Sequence, residues 1–183
     1  AVGYGSLQKN TTANDNTAVG KTALYWNTTG AQNTAIGRGA MEQNTTGTEN
    51  TAVGRIALIS NTTGNYNLAA GASALQNNTT ASQNTAAGYF SLQASTTGGN
   101  LTATGFSALK RNTTGSDNTA HGSYALQANT TGANNTAMGQ GALQGITTGS
   151  RNIGLGKDSG QNMTTGSNNT IIGSFSGNQS GID

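Results

Sequence analysis

The chain has 183 residues, 32% of them hydrophobic and only 8% charged, with 28 glycines, no proline, no cysteine and a formal net charge of +2. This balance excludes a disulfide framework and a cysteine-based zinc site, and it lacks the dense basic patch that nucleic-acid binding needs. No apolar run approaches the roughly 18 residues of a membrane span, and no signal peptide is visible, so membrane insertion is not expected.

The predicted elements follow a period of 17 residues, marked by Gly3, Gly20, Gly37 and each seventeenth residue to Gly173. Counted from Asn16, the unit reads N-T-A-V-G-x-x-A-L-x-x-N-T-T-G-x-x, and positions below refer to this unit. Helical-pair repeats need roughly 34 to 47 residues, and Gly, Asn and Thr are poor helix formers. The fold expected is therefore all-β: a parallel β-solenoid, or β-roll, of about eleven 17-residue coils, forming one repeat domain over residues 1–183. At about 4.7 to 4.9 Å per stacked strand the rod would be roughly 50 Å long. Starting and stopping within the repeat, the chain reads as part of something longer, with 150–183 a variant end of the array.

Within the unit, position 1 is Asn in nine of ten copies, Leu101 being the exception, and predicts a stacked amide ladder facing inward or capping a turn. Position 3 is Ala from Ala18 to Ala137, a column small enough for close backbone approach, and position 8 is Ala or Ser throughout. Position 9 is mostly Leu, from Leu7 to Leu143, and predicts a thin core.

Position 4, on the opposite strand face from the alanines, holds Val19, Ile36, Val53, His121, Met138 and Leu155 among others. Both faces of this strand therefore want burial, and these six residues are assigned to a seam between chains. His121, the only histidine, has no accompanying carboxylate and is read as a polar break in that seam; no metal site is expected.

Positions 13 and 14 are Thr-Thr in every unit, and strand alternation predicts one column inward and one outward. With the preceding residue they form Asn-Thr-Thr sequons at Asn10, Asn27, Asn44, Asn61, Asn78, Asn112 and Asn129. Ser95, Ile146 and Met163 replace that Asn while both threonines persist, so a structural reason for the motif outweighs glycan attachment.

Every Lys and Arg, every aromatic ring and every acid except Asp183 falls at positions 6, 7, 10, 11, 16 or 17, the outward decoration of the rod. Lys21, Arg38 and Arg55 form a cationic column that would meet an anionic polymer, and Tyr25, Trp26, Tyr89, Phe90 and Phe106 are rings that would stack on surface glycan or on one another. One histidine, no cysteine and isolated acids leave no catalytic constellation and no cofactor motif, so no enzyme is expected.

The string N-T-A-[VI]-G-x-x-A-L-x-x-N-T-T-G resembles repeats in trimeric fibre proteins of phage tails and bacterial surfaces, and more distantly the repeats of trimeric autotransporter adhesin heads, whose unit is shorter. The resemblance covers essentially the whole chain and implies a homotrimer of short, left-handed coils. It implies a shaft on a cell surface or virion, outside the cell, with receptor-binding or chaperone domains elsewhere. The rival expectation is ice binding through outward Thr columns. Adjacent rather than alternating threonines, and Leu68 and Ile153 at position 2, count against it. Gly154, Gly160 and Gly177 at positions 3 and 9 are expected to narrow the roll toward its end.

Overall fold

A β-branched residue at each end of a Thr-Ala-Val triplet suits a pleated strand, and the small alanine between lets that strand lie close to what is behind it. The structure, a computed structural model, describes residues 1–176 and forms such a strand once per coil. The strands are β1 (Thr17–Val19), β2 (Thr34–Ile36), β3 (Thr51–Val53), β4 (Leu68–Ala70), β5 (Thr85–Ala87), β6 (Thr102–Thr104), β7 (Thr119–His121), β8 (Thr136–Met138), β9 (Ile153–Leu155) and β10 (Thr170–Ile172). They stack in chain order as one parallel sheet, each residue pairing with the one 17 positions on, as in Ala18 with Ala35. Val2 adds a bridge to Val19. The chain is thus an all-β parallel solenoid of about nine turns, and no helix occurs among the described residues.

Three-residue strands close into a coil because the chain reverses its hand repeatedly. Position 5 is glycine with φ between +96° and +144° along the rod, and positions 7, 9 and 17 are left-handed even where they are not glycine, as at Ile56 (53°), Leu58 (52°) and Glu49 (55°). A left-handed conformation costs an L-residue about 1 to 2 kcal/mol, and burying a leucine at position 9 returns about 1.5 to 3 kcal/mol. The glycine at position 5 is required for a second reason: a Cβ on Gly20 would sit 2.6 Å from the carbonyl carbon of Gly37.

Hydrogen bonding between coils does not stop at the strand ends. Leu24 N–H donates to the Ala40 carbonyl at 3.0 Å, Trp26 to Glu42 at 3.0 Å and Thr28 to Thr45 at 2.9 Å, so the turns are laddered as the strands are. Inside lie the alanines of position 3, the small residues of position 8 and the Leu or Met of position 9, fully buried from Ala18 to Leu143.

Two asparagine columns complete the interior. Asn33 N–H donates to Asn16 Oδ1 at 2.9 Å and its Nδ2 to the Gly47 carbonyl at 2.8 Å; Asn44 Nδ2 donates to Asn27 Oδ1 at 2.8 Å and to the same Gly47 carbonyl at 3.0 Å. The columns at positions 1 and 12 therefore converge on one carbonyl per coil. Leu101 replaces an Asn, is buried, and still donates its N–H to Asn84 Oδ1 at 2.9 Å.

One expectation needs correction. Neither threonine column enters the core: position 13 is half-buried, with Thr28 Oγ1 donating to the Thr45 carbonyl at 3.0 Å, and position 14 is exposed. Strand alternation fails there because the segment is a bend and not a strand. At the late glycines, a Cβ on Gly160 would lie 2.8 Å from Ile171 Cδ1 and 3.2 Å from Met163 Sδ, so these residues pack closely around it. Strand register continues through β9 and β10; Gly177 lies outside the described residues.

Candidate interaction faces

The face that the sheet turns outward is built from positions 2 and 4, because position 3 points to the core. In the parallel ladder Val19, Ile36 and Val53 stack directly, and His121, Met138 and Leu155 follow in the same file. Val19 is 38% exposed, Ile36 40%, Val53 40% and Met138 48%. His121 is half-buried, and its Nδ1 is hydrogen-bonded by Thr104 Oγ1 from the preceding coil, so part of its polarity is answered within the file.

Leu68 and Ile153, which as letters interrupt a threonine column, belong to this face beside the position 4 residues and are themselves exposed. Ile172 extends it at β10. The signal that finds them is the strand period of two: any apolar residue two before the position 4 column shares its side. The result is an aliphatic band in two stretches, β1 to β4 and β8 to β10, separated over β5 to β7 by Ala87, Thr104 and His121, with a file of threonines beside it.

No protein-family model, no curated protein and no solved structure matches the chain.

The rings and cations gather elsewhere on the coil. Tyr89 lies 3.9 Å from Phe90 and stacks on Phe106 at 5.8 Å and 19°, while Phe106 meets Tyr124 edge-on at 5.3 Å. Lys110 Nζ sits 4.6 Å above the Phe90 ring. Tyr124 and Lys110 thus join the three rings picked out by sequence, in columns one coil apart that a reading by single positions does not connect. These rings spend their faces on one another, a cross-coil ladder. Nearer the start, Tyr25 and Trp26 meet edge-on at 5.0 Å, with Lys9 5.7 Å above Trp26 and Lys21 6.0 Å above Tyr4.

Lys21, Arg38 and Arg55 are exposed at successive levels, and among the described residues the one ion pair is Lys157 with Asp158 at 3.9 Å. Among those residues no group of three or more His, Cys, Asp or Glu is placed to hold a metal ion, and no helix is long and apolar enough to cross a membrane.

Proposed function

We propose that this rod is a non-catalytic shaft segment of a homotrimeric fibre, displayed on a cell surface or a virion, that holds an adhesive or receptor-binding tip away from its base. The observation that carries the reading is the aliphatic band of β1 to β4 and β8 to β10. Parallel sheets are ordinarily covered on both faces, and here one face is filled by the solenoid's own interior while Val19, Ile36, Val53, Leu68, Met138 and Ile153 remain open. An apolar strip of this kind marks a contact surface, and three copies around one axis parallel to the rod would cover both of its stretches. The short coils are taken as left-handed, in line with the fibre repeats the sequence resembles. Contact with surface glycan or anionic polymer through the exposed rings and cations is secondary in this reading.

Sedimentation equilibrium of the purified chain tests it. The expected mass is three times 18.3 kDa; a folded monomer overturns the trimeric shaft.

One observation supports ice binding as the second reading. Thr17 and Val19, Thr34 and Ile36, and Thr51 and Val53 alternate on one outward face, repeated once per coil. Regular files of this spacing would order water if the face were open to solvent. A monomer with thermal hysteresis selects this reading, and a trimer without it selects the shaft.

A further inference from the structure

We propose that neighbouring copies in the fibre are keyed by charge, with Asp15 and Glu49 of one copy meeting Lys21, Arg38 and Arg55 of the next; this rests on the trimeric reading above. Each strand of the outward face is flanked by position 17 two residues before it and by position 6 two residues after it. At β1 the flanks are Asp15 and Lys21, at β2 Gln32 and Arg38, and at β3 Glu49 and Arg55. All six are exposed. The leading flank of this third of the rod is acidic and the trailing flank basic.

Within one chain these opposite charges do not pair: among the described residues the single ion pair is Lys157 with Asp158, on the last coils. The strand between them holds the flanks apart. Like charges stacked one coil apart, as in Lys21, Arg38 and Arg55, are unfavourable with nothing to answer them. A threefold axis along the rod turns the trailing flank of one copy toward the leading flank of the next and leaves every residue at its own level. Asp15 then faces Lys21, and Glu49 faces Arg55 with Arg38 one coil away, about 4.8 Å along the axis. A twofold axis across the middle of the rod would instead set β1, β2 and β3 against β10, β9 and β8, whose flanks are Asn168 and Ser174, Arg151 and Lys157, and Asn134 and Gln140, so no acid there would answer Lys21, Arg38 and Arg55. The charge pattern therefore selects parallel, cyclic association.

The remaining charges on the two flanks fit less closely. Asp117 faces Ser123 and already accepts a hydrogen bond from Asn100 Nδ2 at 3.1 Å. Arg151 faces Lys157, the one like-charged level, where Lys157 has its own Asp158 at 3.9 Å. The key is thus confined to the first three strands.

The test is a charge reversal on the full chain, read by sedimentation equilibrium at low and high salt. Glu49→Arg and Arg55→Glu are each expected to raise the midpoint concentration of trimer formation by about tenfold or more, since three attractive pairs become three repulsive ones. The combined variant is expected to return to within about threefold of wild type, and salt is expected to flatten all differences. Glu49→Gln should move the midpoint the same way by less. Folding is not at risk at position 17, where Arg151 already occupies the same left-handed conformation with φ 59°. Single variants that assemble like a trimeric wild type overturn the charge key and leave the trimer standing; a monomeric wild type overturns both.

Discussion

The side chain of Asn44 donates through Nδ2 to Oδ1 of Asn27, one coil earlier, at 2.8 Å, with both residues fully buried. The same bond recurs from Asn61 to Asn44 and from Asn78 to Asn61, at 2.8 and 2.9 Å. It stops where Ser95 and Ile146 take the place of asparagine, and the Oδ1 atoms of Asn78 and Asn129 are left buried without a partner.

Repairing the first break is expected to stabilise the rod. Ser95→Asn would donate to Asn78 Oδ1 and offer its own oxygen to Asn112, removing buried orphans worth about 1 to 3 kcal/mol. Ile146→Asn would reach Asn129 Oδ1 but leave its own oxygen facing Met163 and strip a fully buried aliphatic side chain from the core, so it is expected to destabilise. Thermal or chemical denaturation of the two variants distinguishes them by sign. Equal effects would show that the ladder carries little of the stability.

The two glycine columns should respond differently to a methyl group. Gly54→Ala forces a Cβ to 2.6 Å from the Gly71 carbonyl at φ +139°, and is expected to cost about 3 kcal/mol or more. Gly64→Ala carries no such φ strain but still sets a Cβ 2.3 Å from the Ala81 carbonyl oxygen and 2.5 Å from Asn61 Oδ1, so the coils must shift and the expected cost is about 1 to 3 kcal/mol. Denaturation midpoints for the pair check this.

Val53→Asp separates seam from solvent. At 40% exposure in the single chain, an aspartate there is expected to leave an isolated rod within about 0.5 kcal/mol of wild type. In a trimer it would bury three unpaired carboxylates near one axis and break the assembly. Sedimentation mass and melting temperature together read the result. An unchanged trimer removes position 4 from the seam.

The Asn-Thr-Thr sequons should stay bare in folded protein. The Nδ2 atoms of Asn27, Asn44, Asn61, Asn78, Asn112 and Asn129 each donate to the position 15 carbonyl of their own coil, within buried residues. By contrast Asn77, Asn100, Asn134, Asn162 and Asn168 also have threonine two residues on and are exposed. Mass-spectrometric mapping of folded protein secreted from a glycosylating host is expected to find glycan on this second set and none on the first. Occupancy at Asn44 or Asn61 in folded material would overturn the assignment.

Period, strand position and core were legible in the letters, because a stacked coil repeats every contact and so every constraint appears as a column. The alanines of position 3 and the leucines of position 9 name the interior without coordinates. The surface was less legible. Leu68 and Ile153 look like defects in a threonine column until the strand places them beside Val53 and Leu155, and Tyr124 joins Phe106 across a coil boundary that single-column reading does not cross.

By itself the sequence determined that the chain is a 17-residue parallel solenoid with glycine at position 5, since only a residue without Cβ can meet its copy one coil away at that φ. Only the tertiary structure decided which way the side chains between the strands point. Positions 7, 9 and 17 adopt left-handed φ with residues such as Ile56, Leu58 and Glu49 that do not favour it locally. Hydrogen bonds from the neighbouring coils hold them there. Those reversals turn both threonines of the pair away from the core and draw the sequon asparagines into it.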